Sequence, residues 1–286
     1  HKRNPAGTLP GEWTSRDITE IEGFDNLHDA TGILQQMQEK AATAYGAEES
    51  FYLVNGSTCG ILSAISAAVP FGGELLITRN CHKSVYHGAY LRHLSLHYLY
   101  PDMLEEYDIC EAITAKQVEE ALEAHPGVAA VLIVSPTYEG RIADVKAIAE
   151  VVHKKGLPLI VDEAHGAHLG FSPDFARNSA RLGADIVINS VHKTLPAMTQ
   201  TALLHVNGGL IDRQILKRHL RIYQTSSPSY VLMSSIEEAV DMAGEESAFE
   251  EFVIRWQELL TRLSELKRLR ILPNSFEECR KKKQDI

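Results

Sequence analysis

From about residue 50 the chain alternates between short, almost continuously apolar runs and longer stretches in which apolar residues recur at three- and four-residue spacing. The runs fall at residues 51–55, 74–78, 95–100, 129–134, 158–162, 185–189 and 202–206, and helical stretches such as 58–69, 115–124 and 145–155 lie between them. Strands that face solvent on one side alternate polar and apolar residues; these do not, so both faces of the sheet must be covered. Strand–helix–strand repetition gives parallel neighbours, and the expected fold is α/β: a three-layer α/β/α domain around a mostly parallel seven-stranded sheet.

The flanks read differently. Pro5, Gly7, Pro10, Gly11, Gly23 and Gly32 punctuate residues 1–50, which are expected to form an extended N-terminal arm. Residues 51–243 form the sheet domain, closed by helices expected at 210–223 and 234–243 with a polar loop, Gln224 to Tyr230, between them. A charged helix is expected over 245–270, and the tail from Glu278 to Lys283 reads as a fraying stub, so 244–286 is taken as a long helix leading into a further region. Because the chain opens on His1, residues are expected to precede it. The net charge of −10 argues against nucleic acid or an anionic membrane as a partner. No apolar run approaches the ~20 residues of a membrane span, and no charged-then-apolar leader is present, which leads to the expectation of a cytoplasmic protein. Cys59, Cys81, Cys110 and Cys279 include no CxxC pair, a pattern of reduced thiols rather than of a metal site.

In parallel sheets ligands collect beyond the carboxyl ends of the strands, and Asn55, Asp162 and Ser190 stand at such ends. Asp162 closes the run Leu157-Pro158-Leu159-Ile160-Val161, and Lys193 follows the next strand in Ser190-Val191-His192-Lys193. A lysine in a loop is ordinarily a solvated charge, and an aspartate closing a strand ordinarily caps a turn. Together, on neighbouring strand ends, they form the pair that pyridoxal 5′-phosphate (PLP) requires. The amine holds the aldehyde as a Schiff base, and the carboxylate keeps the pyridine nitrogen protonated. Strand alternation places Asp162 with Ala164 on one face and Glu163 on the other, and the alanine methyl leaves room for a flat ring. Asn55-Gly56-Ser57-Thr58-Cys59-Gly60 joins a strand to a helix and offers a glycine turn, two hydroxyls and free N–H groups to a phosphate, although Ser and Thr also cap helices that bind nothing. His82, in Arg79-Asn80-Cys81-His82-Lys83-Ser84, is either a ring-stacking imidazole or one of many surface histidines. Ser135-Pro136-Thr137-Tyr138-Glu139-Gly140 is a strand-end turn that either touches the ligand or is only a turn.

These clusters, with His1-Lys2-Arg3 and Thr225-Ser226-Ser227-Pro228-Ser229-Tyr230, make the chain resemble the major domain of the Orn/Lys/Arg decarboxylase family, whose fold is the PLP-transferase-like fold type I of aspartate aminotransferase. The resemblance spans nearly the whole chain. It implies that Lys193 is the Schiff-base lysine, that Asp162 faces the pyridinium, and that His82 stacks on the ring. It further implies that Ser57, Thr58 and Ser190 hold the phosphate with Cys59 and His192 beside them, while Ala164 and His165 line the ring. Many family members carry an aromatic residue where this chain has His165. Ser226 or Ser227 would reach the cofactor of a neighbouring subunit, so a homodimer or larger homo-oligomer is expected. The family continues into a smaller C-terminal domain, which is expected to be absent from residues 1–286.

The implied reaction is decarboxylation of lysine, arginine or ornithine. Another fold type I activity, such as an aminotransferase or aldolase-type lyase, would use the same Lys193 and Asp162, and a non-catalytic PLP-binding homologue is the third reading.

Overall fold

In the computed structural model all seven apolar runs become strands of one sheet. Residues 17–18, 24–263 and 265–266 are described, so His1-Lys2-Arg3, most of the segment before Phe24, Cys279 and the tail from Glu278 lie outside the described residues. The strands are β1 (Glu49–Leu53), β2 (Glu74–Thr78), β3 (Ser95–Leu99), β6 (Val128–Val134), β7 (Leu159–Asp162), β8 (Ile186–Asn189) and β9 (Ala202–Val206), with a small hairpin of β4 (Met103–Leu104) and β5 (Ile109–Cys110) set apart. The sheet order is β1-β9-β8-β7-β6-β2-β3. Neighbours from β3 through β8 are parallel, whereas β9 runs antiparallel to both β8 and β1. The carboxyl ends of β1, β2, β3, β6, β7 and β8 therefore share one edge with the start of β9.

The helices are α1 (Ile33–Tyr45), α2 (Gly56–Ala68), α3 (Lys83–Arg92), α4 (Ala115–Ala124), α5 (Val145–Lys154), α6 (Val191–Thr194), α7 (Arg213–Tyr223), α8 (Tyr230–Gly244) and α9 (Glu250–Leu263). Strand alternation assigns the layers. Leu132, Ile160, Ile186, Ile188 and Leu204 pack with residues of α2, α3 and α7 in one core. Val131, Ile133, Leu159, Val161 and Val187 pack with α4 and α5 in a second. At the β1 end of that second face, Tyr52 and Leu203 pack with α1 and α8. The parity that sends Ile160 toward α2 and α3 carries on to Asp162, which is thereby committed to their side of the sheet.

The segment read as an extended arm is corrected in part: residues 33–45 are helical. Leu34, Ala41, Ala42 and Tyr45 form its buried stripe, and Gly46 at φ +71° ends it in the left-handed conformation. This helix guards the edge strand β1. Gln38 Oε1 accepts from the Tyr52 N–H at 3.1 Å and Gln224 Oε1 from the Val54 N–H at 2.9 Å, so edge donors that would otherwise template another strand are satisfied within the chain. Lys193, expected just past a strand, lies on the single turn of helix α6 that follows β8. The charged stretch expected over 245–270 is helical over Glu250–Leu263 among the described residues. Among those residues no helix is long and apolar enough to cross a membrane.

Gly60, inside α2, shows how closely this helix lies on the sheet. A Cβ there would stand 2.7 Å from Leu53 Cδ1 and 3.2 Å from Ile188 Cγ2, both side chains of the core. Gly60→Val is expected to lower stability by about 1–3 kcal/mol through overpacking, read as a lower urea midpoint at unchanged slope.

Candidate active site

Asp162 ends β7 with a side chain turned into the sheet edge and is only 4% exposed. Its Oδ1 accepts from the Ala164 N–H at 3.2 Å. Burial raises its pKa to about 6; the Ala164 N–H and the Lys193 ammonium pull it back without cancelling the effect. A carboxylate so held lacks the full compensation that burial demands. Glu163, which follows, goes to the opposite face as the alternation requires. It accepts from Ser179 N at 2.9 Å and from the Ser179 hydroxyl, while Asn189 Nδ2 donates to its backbone and side-chain oxygens at 3.0 and 3.2 Å. Glu163 is thus a strut that ties β7 to β8.

Lys193 stands one turn beyond Ser190, its N–H bonded to the Ser190 carbonyl at 3.1 Å. The exposed Nζ lies 3.1 Å from His165 Nε2. His165 is the residue after Ala164, and its ring is met edge-on by Tyr138 at 5.6 Å between centroids. The Ser135–Arg141 turn carries Tyr138, which is 84% exposed. One member of that turn therefore contacts His165 beside Lys193.

His82 is the N-cap of α3. Its Nδ1 accepts from the Ser84 N–H at 3.2 Å and lies 2.8 Å from the Ser84 hydroxyl, which puts the ring proton on Nε2. Partial burial lowers its pKa, and the charges of Lys193 and Lys83 add to the effect, so the ring is kept neutral. Its neighbour Cys81 senses the Asp162 charge, although burial is the main reason its thiol is pushed up to about 11. These perturbations bring β2's end, Asp162 and Lys193 to one place.

The cradle is built at the start of α2. No side chain caps this helix: the Asn55 Oδ1 that could do so accepts instead from Thr225 N at 3.0 Å. Gly56, at φ +74°, makes the turn into it. The Ser190 hydroxyl donates to the Ser57 hydroxyl at 2.9 Å, which joins the cradle to the strand end that precedes the lysine. Thr58 is exposed beside them. A helix N-terminus without a side-chain cap, with two hydroxyls at its mouth, offers donors from which an anion could accept. Cys59 contributes a backbone N–H there, since its buried thiol donates to the Gly56 carbonyl at 3.0 Å and burial pushes its pKa up to about 12. His192 Nδ1 donates to the Thr201 carbonyl at 2.8 Å, leaving Nε2 for any ligand. Ser227 is on the exposed loop after α7, its N–H bonded to the Thr225 hydroxyl at 3.2 Å. That loop is pinned near the cradle by Asn55 and by His28, whose Nε2 meets the Thr225 carbonyl at 2.8 Å.

Sequence reasoning missed the bracing groups. Gln200, at φ 86°, donates through Nε2 to the Val54 carbonyl, and Gln224 fixes Tyr52 and Val54. A glutamine carries no pattern that announces such a role. Asn55 was legible as a strand-end residue, yet its tie to Thr225 joins segments 170 positions apart and leaves no local trace.

A family model for the major domain of Orn/Lys/Arg decarboxylases matches residues 2–278. An uncharacterized protein of Bacillus subtilis, YaaO, is 41% identical over 222 residues, which are 77% of this chain and 46% of that protein. The arginine decarboxylase of B. subtilis is 35% identical over 225 residues, 79% of this chain and 46% of the enzyme. Among solved structures, the Escherichia coli constitutive lysine decarboxylase superposes with a TM-score of 0.71 at 26% identity, covering 83% of this chain and 35% of its own. The chain thus spans about half the length of the curated relatives it matches.

Proposed function

Given that the chain belongs to the Orn/Lys/Arg decarboxylase family, we propose that it binds PLP at the strand-end site and decarboxylates a basic amino acid: lysine, arginine or ornithine. The observation that carries the reading is the buried Asp162 carboxylate, incompletely compensated and electrostatically coupled to Lys193. A protonated pyridine nitrogen is the partner such a carboxylate lacks. The uncapped start of α2 and the paired Ser57 and Ser190 hydroxyls fit a phosphate equally well.

The chemistry the cofactor supplies when bound is an electron sink for the pair released as CO₂ leaves Cα. The chain's residues do the rest. Lys193 would supply the amine that holds the cofactor. Asp162 keeps a proton on the ring nitrogen. The neutral His82 ring would stack on the cofactor ring, and the small Ala164 would leave room for it. Ser57, Thr58 and Ser190, with the N–H groups from Gly56 to Cys59, hold the phosphate, and His192 Nε2 lies beside them. His165 and Tyr138 border the substrate side. Ser226 or Ser227 serves the site of a neighbouring subunit in a homodimer or larger homo-oligomer. We place the cofactor domain at 51–243, between an N-terminal segment of 1–50 and a C-terminal portion of 244–286. Two of the relatives named, the B. subtilis arginine decarboxylase and the E. coli lysine decarboxylase, are bacterial decarboxylases, which supports a cytoplasmic enzyme of polyamine formation.

Incubation of the protein with PLP and each of the three amino acids tests the reading. CO₂ is expected in equal amount with agmatine, cadaverine or putrescine from one of them. A keto acid in place of CO₂ overturns it, as does the absence of turnover with all three.

A further inference from the structure

Lys193 Nζ and His165 Nε2 lie 3.1 Å apart, a hydrogen-bonding distance at which one nitrogen must donate and the other accept. An ammonium has donors alone, so when Lys193 is charged the imidazole accepts through Nε2 and carries its own proton on Nδ1. The charged and titratable groups around the pair come from each strand end nearby. Asp162 lies on β7 and acts on Lys193; His82, at the start of α3, is itself affected by the Lys193 charge. Tyr138 packs edge-on against His165 from the exposed turn after β6. His165, partly buried, thus bridges the exposed Lys193 amine and the Tyr138 ring.

We propose that His165 is the acid–base partner of Lys193: it takes a proton from the ammonium before the amine attacks and returns it when the amine is released. The inference rests on the assignment of Lys193 as the cofactor lysine. In the step itself an Nζ–H bond breaks, its electron pair stays on nitrogen as the attacking lone pair, and the proton bonds to the lone pair of Nε2. The reverse transfer restores the ammonium, so no other reactant is needed. An ammonium cannot attack a carbonyl carbon, and at neutral pH an unassisted lysine is almost entirely ammonium. A neutral base in direct contact removes that block, and imidazole has an affinity for protons suited to neutral pH. Tyr138 is a positioning residue for the ring.

The test uses the cofactor-free protein, with no turnover required. PLP is added across a pH series, the adduct is trapped with borohydride at intervals, and intact mass with peptide mapping gives the rate of capture at Lys193. His165→Gln keeps a hydrogen-bonding group near Nζ but cannot take a proton; capture at neutral pH is expected to slow roughly 100-fold and its pH profile to move upward. In His165→Ala, added imidazole is expected to restore much of the lost rate, a response that a purely structural role would not give. An unchanged rate and pH profile in His165→Gln, or no rescue of His165→Ala by imidazole, overturns the proposal while leaving the cofactor assignment intact. Failure of the unaltered protein to capture PLP at Lys193 overturns the cofactor assignment instead, and this proposal with it.

Discussion

Lys193→Ala is expected to eliminate the covalent PLP adduct and to reduce decarboxylation by about 10⁴-fold or more, the scale on which enzymes lose rate when a covalent nucleophile is removed. Little else should change. Lys193 is exposed on a single turn of helix, and alanine suits a helix well, so the midpoint of thermal unfolding of the cofactor-free chain should hold within about 2 °C. The competing amine is Lys83, which acts with Lys193 on His82 and so stands near the same mouth. Borohydride trapping followed by peptide mapping separates the two. An adduct that persists at full yield in Lys193→Ala, on Lys83 or elsewhere, shows that the lysine has been wrongly assigned.

Asp162→Asn should move activity and stability in opposite directions. In the cofactor-free chain burial holds the Asp162 pKa at about 6, above the 3.8 of an unperturbed aspartate. The folded state therefore binds the proton more tightly than the unfolded state. Below about pH 4 both states are protonated and burial exacts no electrostatic penalty; as pH rises through about 6 the folded carboxyl must ionise and stability falls. Across that shift the penalty at neutral pH is about 3 kcal/mol. Asparagine is neutral and its Oδ1 can still accept from the Ala164 N–H. Urea unfolding should accordingly find Asp162→Asn more stable than the unaltered chain at pH 8 and equal to it near pH 4. With PLP and substrate present the ranking reverses, because an amide cannot keep the ring nitrogen protonated; decarboxylation should fall by about 100-fold or more, as with other losses of an acid–base group. If the variant is less stable at pH 8, or decarboxylates at the unaltered rate, the buried carboxylate does not have the role assigned to it. A destabilising group retained at a site is what function at the expense of stability looks like.

The sheet was legible because its strands are apolar on both faces, a pattern that solvent-exposed strands cannot mimic. The two candidate anchors stood out for a related reason: Asp162 closes an unbroken apolar run, and Lys193 follows the next such run after a short polar stretch. Helix α1 was hidden by the glycines and prolines upstream of it, although Leu34, Ala41, Ala42 and Tyr45 carry the stripe and Gly46 the stop. Helix α3 was overlooked because Tyr, His and Gly crowd its short sequence and it buries mainly Val85 and small residues. The contact between His165 and Lys193 spans 28 positions and depends on how two strand ends are trimmed, which no local pattern encodes. Likewise the Thr-Ser-Ser-Pro loop was recognisable as a segment, but its tie to Asn55 is a product of tertiary packing alone.

The reversed direction of β9 has a consequence for how the molecule is made. Ser50 on β1 finds its cross-strand partner His205 on β9, 155 positions later. At ~5–20 residues per second, a ribosome extrudes β1 roughly 8–30 seconds before its neighbour exists. The parallel strands from β2 to β8 can assemble in the interval, but the strand that leads into the phosphate cradle has no place in the sheet until β9 emerges. Completion of the candidate anion site thus waits on β9, the last strand among the described residues. A nascent chain shorter than that carries Lys193 on an unfinished sheet, and under the proposed reading a vitamin-derived aldehyde would have no phosphate grip to hold it there.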